Sequence, residues 1–442
     1  MLGNQEGSDF SLQRLSGYGV ALGCCLFLLS IIPNTDWAYA CSAICYWAVF
    51  MMAWPRLNPR NKRQIRLLLG ISSVALFVAY LKGVEIDFFP LIEGNLGIVA
   101  MLSGVSLLGL LPESVKQKKP VTGGKGVITT WSSVHLLGAV INMSAIFLVG
   151  DKLQRQTGAL SKSQYAILTR ALTSAAFWSP FFAAMAVALS IAPDAEFYQL
   201  AMIGVPIVVC SCLISLWEFY KQDTLVSFSG FPLAFHSLFF PVGLAASVLA
   251  FHYFFMPELA ILSIVALLSP VSVIVLLLVK SGCRYTKQRL TSHVHIRFPN
   301  MANEVSLFLS AGLLTKVVSL ALVGLLGPNW SLFSTFGFIE AFSCFTGICV
   351  IALLGLHPIV GISLMSSLVP AYGVNNTLLA FVCLSAWGVG TAISPLSGIN
   401  LSVAGKYGAD NFQLARGNLL YGGLMAIVVA VAMLILVWVL DV

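Results

Sequence analysis

Charge is what this 442-residue sequence has least of. Asp, Glu, Lys and Arg make up 9% of it, against 58% for the apolar residues, and mean hydropathy is +0.92. A soluble domain carries about 25% charged residues, so a water-facing surface of ordinary size is excluded. No polar run is long enough for a soluble domain, which leaves one membrane unit. Motifs for covalent or metal chemistry are missing too. Ten Cys are scattered, mostly within apolar runs, with no CxxC, and read as small packing residues. There is no Walker A motif, so ATP hydrolysis is not expected. Ser179 and Ser394 lack a Gly-x-Ser-x-Gly elbow, and no His or Glu cluster has metal-ligand spacing. The basic residues are spread over many short loops, which argues against nucleic-acid binding. Neither an enzyme activity nor a cofactor or metal is expected.

What is present is a series of apolar runs of about 20 residues, the length that crosses a bilayer core. They predict an all-α polytopic membrane protein. One pattern occurs twice: His135, then Met143-Ser144, then Ser179-Pro180; and His357, then Met365-Ser366, then Ser394-Pro395. In both, the Met-Ser pair begins eight residues after the His. The same order of His, Ser and Pro within apolar sequence suggests two related halves.

Spans are expected at 16–33, 37–54, 66–82, 93–111, 168–192, 198–217, 235–254, 257–279, 304–326, 376–398 and 419–440. The first has no charged start leading to a small-residue cleavage site, so it reads as a span rather than a signal peptide. Loop 55–66 carries Arg56, Arg60, Lys62, Arg63 and Arg66, and loop 112–125 carries Lys116, Lys118, Lys119 and Lys125. The positive-inside rule places both in the cytoplasm. A single crossing by 126–150 would put Lys152, Arg155, Lys162 and Arg170 outside, and would flip the later basic loops as well. A re-entrant hairpin there keeps all of them inside. Region 331–370 is too long for one crossing and reads as a second hairpin, with His357-Pro358 in the place that His135 holds in the first. The result is eleven spans and two hairpins, with the N-terminus in the cytoplasm and the C-terminus outside. After an opening segment, 1–36, come two units, 37–218 and 219–442. Each has five spans, an odd number, so the two must run in opposite orientation, as in secondary transporters.

This pattern resembles the ion transporter superfamily, especially the divalent anion/sodium symporters, with the arsenite pumps and citrate carriers as relatives. The resemblance covers almost the whole chain as topology. It implies a first helix before two inverted repeats, a re-entrant hairpin and a broken helix in each repeat, a homodimer, elevator-type motion and residence in a bacterial inner membrane. At residue level the symporters' Ser-Asn-Thr hairpin motif is absent. Asn142-Met143-Ser144 and the run Ser363 to Ser367 are its loose analogues.

Hairpin tips and broken helices leave helix ends unpaired within the membrane, where free N–H groups attract anions and bare carbonyls hold cations. The substrate-binding candidates in the first half are Ser132, Ser133, His135, Asn142 and Ser144 in the hairpin, with Thr173, Ser174 and Ser179 at the break. In the second half they are His357, Ser363, Ser366 and Ser367, then Thr391, Ser394, Ser397 and Asn400. Pro180, Pro358 and Pro395 are the expected helix breakers. The competing reading of the Ser and Thr residues is glue between packed helices. Either His can bind an anion, relay protons or cap a carbonyl; His236 and His252 have no such match and read as interfacial. Lys316 and Glu340 lie inside apolar segments, where charge costs at least ~2.5–3.5 kcal/mol. They are expected either to pair with each other or to serve a substrate anion and a coupling proton.

The expected function is therefore secondary active transport of a small anion, most simply a carboxylate, driven by a proton or sodium gradient. A cation/proton antiporter or inorganic-anion exporter is the near alternative, with only Glu340 available as an intramembrane acid. An integral membrane enzyme or assembly factor acting on a lipid-linked substrate is the alternative from another class. It needs charged outer loops, and those here are short and poor in charge.

Overall fold

The computed structural model describes residues 2–111, 120–232, 239–328, 330–369 and 373–442. Among the described residues helices dominate, and the one strand pairing is a two-residue antiparallel ladder of Val121–Thr122 with Ser229–Gly230. Among the described residues eight helices are long and apolar enough to cross a membrane, and shorter apolar helices lie between them. The chain is a polytopic helical membrane protein. His236, Lys116, Lys118 and Lys119 lie outside the described residues.

The described chain forms two compact units: Met1–Pro112 with Ala246–Trp330 and Ser366–Leu368, and Glu113–Ala245 with Ser331–Met365 and Val369–Val442. Both sequence halves therefore contribute to each unit. The first unit holds α1 (Leu2–Leu29), α2 (Trp37–Ala53), α3 (Pro59–Leu81), α4 (Phe88–Ile92) and α5 (Leu96–Ser106). The second begins with α6 (Gly123–Ile141), α7 (Ser144–Thr157), α8 (Lys162–Thr173), α9 (Ala183–Ile191) and α10 (Phe197–Lys221). Helix α11 (Phe239–Ala250) crosses the division, and α12 (Ile261–Asn300) and α13 (Ala302–Leu326) return to the first unit. The second unit is completed by α14 (Phe338–Leu353), α15 (Pro358–Ser366), α16 (Asn376–Ile393), α17 (Gly398–Tyr407), α18 (Asn411–Gly417) and α19 (Leu419–Leu440).

In the first unit α3 packs on α13, and α1 and α5 pack on α12. Helix α12 is 40 residues long, about twice what a bilayer core needs. Gly282, at φ 77 and ψ 170, divides it. The apolar part precedes the glycine, and Arg284, Lys287, Arg289 and Arg297 follow it. Position 282 takes a backbone conformation that a side chain strains.

The second unit is built around α16, in which every residue from Thr377 to Ile393 is buried. A helix apolar on all sides has no face to give to solvent and ends in the middle of a packed core. Helices α14, α9, α8, α10 and α19 surround it. The segments expected to be re-entrant are helix pairs here. Helices α6 and α7 turn at Asn142–Met143, and Ala145 comes back beside Gly138. Helices α14 and α15 turn at 354–357, and Gly361 comes back beside Ile348.

The candidate site at two hairpin turns and two helix breaks

Both Ser-Pro pairs interrupt helices, and both do so in the same way. In the first, α8 tightens into a 3-10 turn, Ser174–Phe177, before the chain leaves helical conformation, and α9 starts only at Ala183. In the second, α16 ends at Ile393 and α17 starts at Gly398. Proline has no N–H to continue the ladder. The residue after each proline also turns away from the helix. The Phe181 N–H donates to Ser179 Oγ at 3.2 Å, and the Leu396 N–H donates to Ser394 Oγ at 3.3 Å. A serine hydroxyl that captures the i+2 amide offers the backbone an alternative to the helix. The two breaks are thus local equivalents.

Helix bonds lost at the second break leave carbonyls that need donors. Three asparagines supply them. Asn400 Nδ2 donates to Ala392 O at 3.2 Å and Ser394 O at 2.9 Å, Asn418 Nδ2 to Ala392 O at 3.0 Å, and Asn411 Nδ2 to Pro395 O at 2.8 Å. Ser397 caps α17 by accepting the Asn400 N–H at 3.2 Å. Asn418 is itself held by Arg170, whose Nε donates to Asn418 Oδ1 at 2.8 Å. The Arg170 guanidinium is fully buried, paired with Glu218 at 2.9 Å and stacked over Tyr421 at 4.6 Å. From α8, Thr169 donates to Asn400 Oδ1 at 3.4 Å.

Each hairpin turn stands against a break. Asn142 holds φ 50, a positive angle that Asn tolerates better than most residues, and its Nδ2 donates to Phe181 O at 3.3 Å. Ser179 Oγ donates to Ala139 O in α6, which fastens the first break to the first hairpin. At the second hairpin, Gly355 has φ 95 and faces Leu396 so closely that a Cβ there overlaps the leucine side chain. Gly388 of α16 lies against Phe177 and the Thr173 carbonyl, so α16 packs on the turn that leads into the first break.

His135 is held on every side. Trp131 stacks on it with 4.6 Å between ring centroids, and Trp178 Nε1 donates to its Nε2 at 3.0 Å. Because Nε2 accepts, the proton sits on Nδ1, which faces Ser174 Oγ at 2.9 Å and Ala171 O at 3.1 Å. This neutral imidazole ties the hairpin to α8. His357 lies elsewhere in its own hairpin. It sits in the turn, accepts the Ile359 N–H on Nδ1 at 3.2 Å and meets Trp387 edge-on at 4.9 Å. His135 precedes its turn by seven residues. The expected equivalence of the two positions is therefore corrected: the turns are set by Asn142 and Gly355, not by the histidines.

Several other expected site residues join this cluster and several do not. Pro180, Pro395 and Pro358 stand at the two breaks and the start of α15. Thr391 is buried one turn before Ser394, with no hydrogen-bond partner for its hydroxyl. Ser133 donates to Thr129 O and Thr173 to Arg170 O, both within their own helices. Ser132 and Ser144 are half-buried in the first hairpin, and Ser363 is buried in α15. Ser366 and Ser367 belong to the other unit, where Ser367 donates to Thr315 O at 3.2 Å.

The charges need larger corrections. Lys316 and Glu340 fall in different units. Glu340 is in the first turn of α14, and its Oε2 accepts the Gly337 N–H at 3.0 Å, an ordinary capping duty. Lys316 is exposed, and its ammonium acts on Glu93. Arg170, read from sequence as a loop charge, is the fully buried partner of Glu218 in α10, so Glu340 is not the only acid within an apolar helix. Arg170 lies inside the expected span 168–192, and a charge within an apolar span was the signal that could have found it. Asn411, Asn418 and Trp178 gave no such signal.

No protein-family model matches the chain, and no curated protein does. Among solved structures, the YdaH transporter of Alcanivorax borkumensis, described as having an unusual topology, is similar over 84% of this chain and 83% of its own, with 14% sequence identity and a TM-score of 0.39. At that distance the likeness assigns neither function nor site residues to this chain.

Proposed function

We propose that this protein is a secondary active transporter of a small anion, most simply a carboxylate, coupled to a proton or sodium gradient. The observation that carries the reading is the meeting, in one unit, of two hairpin turns with two Ser-Pro helix breaks. Such a place concentrates backbone groups that have left their helices. Amides and positive helix ends favour an anion, and bare carbonyls favour a coupling cation. The substrate residues under this reading are Asn142 and Ser179 at the first break and Thr391, Ser394, Ser397 and Asn400 at the second. A homodimer in a bacterial inner membrane, inverted repeats 37–218 and 219–442, a cytoplasmic N-terminus and elevator-type alternating access complete the proposal.

Cation/proton antiport is the second reading, and buried Glu218 is the observation in its favour. The adjacent Arg170 already pairs with that carboxylate at 2.9 Å, which leaves it without a free charge for a cation. The two readings separate in proteoliposomes. Labelled mono-, di- and tricarboxylates should accumulate under an imposed proton or sodium gradient, and Ser179→Ala and Ser394→Ala should each abolish accumulation. Absence of any anion flux in both gradients, with cation-driven proton movement instead, overturns the anion reading.

A further inference from the structure

The second unit contains a cavity of about 950 Å³ bounded by the start of α8, the end of α10 and the segment from Tyr407 to Asn418. Its size is at the upper end for pockets that hold small solutes. Its charges are uneven. Lys162, Arg170 and Arg416 line it against the carboxylates Glu218 and Asp410. Arg170 and Glu218 cancel each other at 2.9 Å, and Asp410 is engaged in capping α18 through the Phe412 N–H at 2.8 Å. Lys162 and Arg416 are exposed, and among the described residues neither forms an ion pair. Three cationic side chains against two carboxylates leave the lining one positive charge in excess, which raises the local concentration of anions.

The cavity also leads somewhere. Thr169, Arg170 and Asn418 line it. Thr169 and Asn418 are the side chains that, on their other side, hold Asn400 at 3.4 Å and the Ala392 carbonyl at 3.0 Å. One layer of polar side chains therefore separates the cavity from the second helix break. Thr391, next to Ala392 in the chain, has a buried hydroxyl with no hydrogen-bond partner.

We propose that this cavity is an anion-binding entry chamber for the second break, with Lys162 and Arg416 as the groups that draw a small carboxylate in and Asn418 and Thr169 as the layer it must pass. The inference rests on the transport reading above for what lies beyond the chamber, while binding in the chamber is measurable without flux.

The test uses the full chain in proteoliposomes with Gln413→Cys, a substitution at an exposed wall position. Alkylation by a membrane-impermeant maleimide is followed by mass spectrometry on the peptide that carries position 413, so native cysteines do not interfere. Citrate should slow labelling at least about fivefold relative to choline chloride of equal ionic strength, and the protection should vanish in Lys162→Gln/Arg416→Gln, as attraction by these two charges requires. Equal labelling rates with citrate and choline overturn the chamber, as does protection that survives loss of both cations. If wild-type vesicles transport anions but show no protection, the chamber fails and the transport reading stands. Protection in vesicles that carry no flux overturns both the transport reading and the chamber's place on a transport path.

Discussion

Arg170 and Glu218 face one another 2.9 Å apart, with their side chains 0% and 6% exposed. Removing one partner strands the other charge in a low-dielectric interior, so Glu218→Gln should lower stability by roughly 3–5 kcal/mol in thermal unfolding in detergent. Arg170→Met should do at least as much, because Asn418 and the Gly417 carbonyl lose a donor with it. The double variant should lose less than the sum of the two singles. Strict additivity would mean that the pair is not coupled.

The Ala392 carbonyl has two side-chain donors, and the Ser394 carbonyl has Asn400 Nδ2 and the Ser397 N–H at 3.3 Å. Asn400→Ala should therefore cost about 1 kcal/mol, since each carbonyl keeps one donor. Combining it with Asn418→Ala strips Ala392 O of both its side-chain donors, and the double variant should fall by about 1 kcal/mol more than the sum. The same unfolding assay checks this.

Gly355→Ala combines an unfavourable φ with overlap against Leu396. A cost of about 1–3 kcal/mol is expected from strain at a positive φ alone. Leu396→Ala should recover the steric part but not the backbone part. Full recovery would place the whole effect in the leucine.

The parts of this fold readable from the sequence are the parts set by neighbours along the chain. Apolar runs marked the long helices, and Ser179-Pro180 and Ser394-Pro395 marked breaks because a missing N–H acts within four residues. The residues that hold the site together were hidden because their partners are distant: Arg170 meets Glu218 48 positions on and Asn418 248 positions on. The eight-residue echo between His135 and His357 misled because a short match fixes no register, while one positive-φ residue in each hairpin does.

Helices α16 and α19 differ in what they leave uncovered. In α19 the buried residues Tyr421, Met425, Val429, Met433 and Leu436 form one stripe, while Ile427, Val431, Leu434 and Trp438 are exposed. Substitution tolerance along α19 should rise and fall with the 3.6-residue turn, and even polar replacements should be judged mainly by which side they land on. Along α16 the profile should be flat and low from Thr377 to Ile393, because a larger side chain has nowhere to expand and a smaller one opens a void. A saturation scan of this chain should thus find one apolar helix with a rhythm and another without one.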